Sequence, residues 1–138
     1  MTTYLDTSVL VSLFTFETHS QSARSIVATS TGWTTSDWTL AEFSAAIRTK
    51  ARRGELQSDH VSRLDSGLDA FIEQAGSAVA VIDDDHRQAR HLIVADGRLR
   101  APDALHIAVV QRLGATLATF DTNLARAARE VGVEVFDA

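Results

Sequence analysis

At 138 residues, 45% of them apolar and none of them cysteine, the chain is long enough to bury a core of its own, and disulfides and thiolate-bound zinc are excluded. Its formal net charge of −5 argues against a general nucleic-acid coat protein, and no apolar run approaches the ~18 residues that span a bilayer. The opening M-T-T-Y-L-D has no basic region and carries an acid inside its short apolar run, unlike a signal peptide or anchor. A cytoplasmic protein without a membrane partner is expected.

In chain order, Thr3–Leu5 reads as a short strand ending at Asp6, and Ser8–Phe14 as one or two apolar helical turns. Ser20 is the expected cap of a helix through about Ser30 that buries Ala23, Ile26 and Val27. Gly32 opens a β-rich W-T-T-S stretch before a helix near Thr39. There Thr39-Leu40-Ala41-Glu42 matches a capping box, and Phe43, Ala46 and Ile47 supply an inward face until the helix fades around Arg53-Gly54. Ser58 is the expected cap of the next helix, with Val61, Leu64, Leu68, Phe71 and Ile72 at helical spacing up to Gly76. The continuous apolar run Ala78–Ile82 predicts a strand covered on both faces. Asp83-Asp84-Asp85 should cap and solvate the start of a helix reaching about Val94, followed by a loop over 96–100.

The stretch A-P-D-A-L-H-I-A at Ala101–Ala108 puts a carboxylate at the mouth of an almost wholly apolar helix. Pro102 has no N–H to lose and suits the first helical position. From Ala104 to Val110 only His106 is polar, so most of the helix circumference should be buried and Asp103 carried to the edge of the core. Gly114 ends this helix; Ala115–Phe120 is a strand, Asn123–Val131 a helix and Val133–Phe136 a last strand. Strands alternating with helices, with no linker or repeat, predict a single α/β domain over residues 1–138, a mainly parallel sheet between helical layers.

In such a sheet the strand C-termini and the following helix N-termini crowd one rim. Asp6 and Asp121 directly follow strands, and Glu42 and Asp103 lie in the first turns of helices leaving that rim, so the four are expected to converge. Each has an ordinary structural explanation too: a turn for Asp6, the capping box for Glu42, the helix dipole for Asp103, a cap for Asp121. Together they would repel unless a cation intervenes. An all-oxygen donor set suits Mg²⁺ or Mn²⁺, and the lack of a histidine pair at ligand spacing disfavours zinc. Such a site suits phosphodiester hydrolysis. His106 shares the Asp103 face and reads as a packed or supporting histidine rather than a ligand.

Y-L-D-T-S-V-L at Tyr4–Leu10, L-A-E-F at Leu40–Phe43, R-A-P-D-A-L-H-I-A at Arg100–Ala108 and T-F-D-T-N-L at Thr119–Leu124 together resemble the PIN-domain family, most closely the VapC ribonuclease toxins of bacterial toxin–antitoxin pairs. The resemblance runs over essentially the whole chain and implies a three-layer α/β/α PIN fold. It implies a Mg²⁺- or Mn²⁺-dependent endoribonuclease acting on structured RNA, a homodimer silenced by a small VapB-type antitoxin. Asp6, Glu42, Asp103 and Asp121 fall on the family's acidic positions, Ser8 and Thr119 on supporting hydroxyl positions. Asp6, Asp103 and Asp121 are then the expected ion ligands, with Glu42 a further ligand or the orienter of the attacking water.

Arg48, Arg52, Arg98 and Arg100 are candidate phosphate contacts. A phosphotransfer receiver would need a lysine beside the acids, and Lys50, the only lysine, follows the wrong strand. A D-x-D phosphatase would need a second acid where Ser8 stands. The remaining alternative is a catalytically inactive PIN-like module that binds protein or RNA.

Overall fold

A computed structural model describes residues 2–136. Four parallel strands, β1 (Thr3–Leu5), β2 (Trp33–Ser36), β3 (Ala78–Val79) and β4 (Thr116–Ala118), pair in the order β3-β2-β1-β4. They are joined by helices α1 (Thr7–Phe14), α2 (Ser20–Thr29), α3 (Asp37–Arg52), α4 (Val61–Ala75), α5 (Asp83–Ala95) and α6 (Ala101–Leu113), and α7 (Thr122–Glu130) follows β4. Parallel neighbours require long crossovers, so helices cover both faces of the sheet. Alternation along β1 splits the interior: Tyr4 packs in a core with α5, α6 and α7, and Leu5 in one with α1 to α4. This is the three-layer α/β/α arrangement expected from the alternating pattern. Among the described residues no helix is long and apolar enough to cross a membrane.

The register sets up the site. Leu5 pairs with Ala118, so β1 and β4 end side by side and release Asp6 and Thr119 at the same rim. Helix α6 has an unbroken buried run from Asp103 to Val110, as its composition predicts. Pro102 stands second in the helix, one place later than expected, after Arg100 at the N-cap. Gly114, at φ 62° and ψ 30°, closes it in the left-handed conformation that glycine adopts without penalty.

Several boundaries differ from expectation for local reasons. Helix α3 starts at Asp37, where the Ser36 hydroxyl accepts from the Thr39 amide at 3.2 Å; the capping box at Thr39 and Glu42 does not form. Ser20 is already helical, and its hydroxyl closes the preceding turn by donating to the Thr15 carbonyl and accepting from the Glu17 amide. Ser58 begins a single 3-10 turn, with no side-chain cap ahead of α4. The run at 78–82 contributes only a two-residue edge strand, with Ala78 exposed and Ile82 41% exposed. An apolar run alone does not distinguish an edge from a centre. Residues 133–136 make one parallel bridge, Val135 to Leu117, rather than a full strand. Asp85 is not solvated: it is buried and paired with Arg112.

Candidate active site

The site grows from the ends of β1 and β4. Asp6 caps α1, its Oδ1 accepting from the Val9 amide at 3.1 Å and from the Ser8 hydroxyl at 2.7 Å. Its Oδ2 accepts from the Thr119 hydroxyl. Ser8 Oγ also accepts from the Phe120 amide at 2.9 Å, and Thr119 Oγ1 from the Asp121 amide at 3.0 Å. Two hydroxyls thus fasten the two strand exits together. Burial pushes the Asp6 carboxyl above its ordinary value, and hydrogen bonds from Thr119, Ser8 and Val9 oppose that rise without cancelling it. Asp121 Oδ1 caps α7 through the Asn123 and Leu124 amides at 2.9 and 3.1 Å.

Asp103, in the first turn of α6, is buried and accepts from Arg100 Nε at 3.3 Å. Burial raises its carboxyl; Arg100 opposes the rise and the charge of Asp121 adds to it. Glu42 lies in the second turn of α3, where no helix-end role accounts for it. Its Oε1 accepts from the Thr7 hydroxyl at 2.7 Å and from His106 Nε2. Burial alone would raise its carboxyl, but the hydrogen bonds from His106 and Thr7 and the charge of Arg100 hold it below the ordinary carboxylate range.

All four acids line one cleft of about 310 Å³, with Ser8, Arg100, His106 and Glu17 among its other walls. Of the four arginine candidates, Arg100 reaches this cleft; Arg48 pairs with Asp65 at 2.8 Å and Arg52 with Thr49, both away from it. Arg98 joins Arg100, Asp103 and Arg126 around an adjoining recess while paired to Asp96. Glu17, Arg126 and the contact between His106 and Glu42 are absent from the sequence reading. Glu17 is held by Lys50 at 3.0 Å, and Lys50 recurs at helical spacing on the Glu42 face of α3, a legible signal.

The donors facing the cleft are carboxylates and hydroxyls, chemistry that fits a hard divalent cation. Such a cation would relieve the repulsion that the Asp121 charge exerts on the Asp103 carboxylate. Among the described residues no three acid or histidine side chains are grouped tightly enough to enclose an ion. An ion held by carboxylates of this cleft would complete its shell with waters, as Mg²⁺ commonly does.

A family profile for the PIN domain matches residues 3–130. The chain belongs to the PIN-domain family. Solved structures similar to this PIN domain include Mycobacterium tuberculosis VapC20, described as a sarcin-ricin loop cleaving toxin. It is 21% identical with a TM-score of 0.73, over 91% of this chain and 94% of that one. VapBC2 from Rickettsia felis, bound to a DNA fragment from its promoter, is 15% identical with a TM-score of 0.70, over 99% and 98%. FitAcB from Neisseria gonorrhoeae is 20% identical with a TM-score of 0.66, over 98% and 96%. At these identities the likeness establishes the fold. No curated protein matches the chain in sequence.

Proposed function

We propose that this PIN domain is a divalent-metal-dependent endoribonuclease and the toxin of a toxin–antitoxin pair. The observation that carries the reading is the convergence of Asp6, Glu42, Asp103 and Asp121 on one cleft from four separate parts of the chain. The neighbours support it, since one is described as a loop-cleaving toxin and another is a VapBC complex.

Asp6, Asp103 and Asp121 would hold Mg²⁺ or Mn²⁺, which when bound supplies Lewis-acid stabilisation of phosphodiester hydrolysis. Asp6 is held in place for that task by Ser8, Thr119 and the Val9 amide. Glu42, kept ionised, orients the attacking water and takes its proton. Arg100 contacts a backbone phosphate of the RNA beside Asp103, a role a negative chain must concentrate at the cleft. The partners on this reading are RNA, a VapB-type antitoxin that obstructs the cleft and a second copy of the chain, in the cytoplasm.

The test is cleavage of RNA by purified, antitoxin-free protein. Cutting should require Mg²⁺ or Mn²⁺, stop with EDTA and be lost in Asp103→Asn while the fold is retained. Millimolar Mn²⁺ should raise the melting midpoint of the wild type, because a ligand of the native state stabilises it. Undiminished cleavage by Asp103→Asn would overturn the mechanism.

A further inference from the structure

His106 and Tyr4 are polar groups deep in the molecule, 3% and 0% exposed, in a core otherwise lined by alanine, leucine, isoleucine and valine. Groups so placed need hydrogen-bond partners, and theirs form one continuous chain. The Tyr4 hydroxyl lies 2.8 Å from His106 Nδ1, 2.8 Å from Ser36 Oγ and 3.0 Å from Thr39 Oγ1. His106 Nε2 contacts Glu42 Oε1. The chain therefore starts at Ser36, the cap of the helix that carries Glu42, and ends on Glu42 itself in the cleft.

We propose that Tyr4 and His106 are positioning residues for Glu42, a buried relay that fixes His106 as its Nε2–H tautomer and leaves Glu42 Oε2 as the oxygen that meets the attacking water. The inference rests on the nuclease reading of the cleft and assigns it two further residues.

The donor directions follow from chemistry. An ionised carboxylate only accepts, so His106 Nε2 carries the proton. In neutral imidazole Nδ1 is then an acceptor, and the Tyr4 hydroxyl, with a single hydrogen, donates to it. With its hydrogen given to Nδ1, the Tyr4 oxygen accepts from Ser36 or Thr39, whose hydroxyls also bond each other at 3.1 Å. Thr7 donates to the same Oε1 as His106. Both anchors therefore fall on one oxygen, and among the described residues no hydrogen bond reaches Oε2. A long, flexible side chain is thus held in one orientation from one side. An apolar residue at 106 would suit the surrounding core as well, whereas it could not do this.

The test combines a spectroscopic and a kinetic arm on the full chain. In metal-free protein, the imidazole ¹⁵N spectrum should show His106 with a protonated Nε2 and an unprotonated, hydrogen-bonded Nδ1. Its signals are assigned among the five histidines by their loss in His106→Gln. Tyr4→Phe should shift the Nδ1 signal and leave the tautomer unchanged. In cleavage assays, His106→Gln, whose amide can still donate where Nε2 does, should retain kcat within about threefold. His106→Asn, which places its amide at Nδ1, should lose about tenfold to a hundredfold in kcat. KM and the Mn²⁺-induced thermal shift should be unchanged in both. Tyr4→Phe should lower kcat in the wild type and not further in Glu42→Gln. This near-isosteric variant decides the matter if the His106 variants fail to fold. A protonated Nδ1 with a bare Nε2, or equal kcat for the Gln and Asn variants, would overturn the relay. Absence of any RNA cleavage by the wild type would instead remove the nuclease reading, and the spectrum would still decide the hydrogen-bond chain.

Discussion

Arg112→Met should destabilise the protein strongly and in a pH-dependent way. Asp85 is 2% exposed. Its Oδ1 accepts from Arg112 Nε at 2.8 Å, and its Oδ2 from Arg112 Nη2 at 2.9 Å and from the Ile82 amide at 3.0 Å. Arg112 also donates to the Ala80 carbonyl at 3.0 Å. Methionine would leave a buried carboxylate with one amide donor, and one-sided loss of a buried pair costs about 3–5 kcal/mol. Because the Arg112 side chain is 31% exposed, water can reach the vacated space, and a loss of about 2–3 kcal/mol is expected. For a domain of this size that lowers Tm by roughly 6–12 °C. Burial raises the Asp85 carboxyl, but hydrogen bonds from Arg112 and Ile82 and the Arg112 charge outweigh burial and hold it below its ordinary value. The stabilisation is therefore present above the unfolded carboxylate range and disappears as pH falls through the lowered folded value. Thermal melts followed by circular dichroism at neutral pH and below about pH 4 should show the deficit shrinking on acidification. The double variant Asp85→Asn with Arg112→Met should recover most of it. A deficit that is equal at both pH values, or no recovery in the double variant, would refute this reasoning.

Asp121→Asn should keep both cap bonds to α7 and melt near the wild type, while Asp121→Ala loses them at a cost of about 1 kcal/mol; both should lose RNA cleavage, which separates the cap from the chemistry. Gly76→Ala should destabilise by about 1–3 kcal/mol, because its Cβ would lie 2.5 Å from the Trp33 ring. That ring stacks on Phe71 at 4.9 Å between centroids and has little room to yield. An unchanged melting midpoint would show that the Trp33 packing relaxes freely.

The carboxylates at strand ends were the most legible part of the site. Asp6 and Asp121 could be placed because alternation of strands and helices already fixes which sheet edge receives them. Glu42 was harder: a capping box explained it fully until the helix start moved back to Asp37. A plausible local hydrogen bond had masked a long-range one to His106. Arg48 and Arg52 show the converse. Their spacing placed them near one another on α3, but their direction from the cleft depended on α4 and on Asp65. Arg126 enters through contacts that no local pattern encodes, and Glu17 is signalled only indirectly, by the Lys50 that pairs with it from the Glu42 face of α3. The edge position of β3 was equally hidden, since it depends on which strands meet across the sheet.

Strand order also constrains when the cleft can exist during synthesis. β1 is made first but is flanked in the sheet by β2 and β4, and Asp6 takes its Oδ2 partner from Thr119. Until the ribosome has extruded the chain through Leu124, whose amide helps seat Asp121, the fourth carboxylate has no place and the first has no brace on that side. A nascent or truncated fragment would carry three of the acids without the pocket that gathers them. Any catalytic hazard this fold poses to its host is therefore deferred until translation of the domain is nearly done.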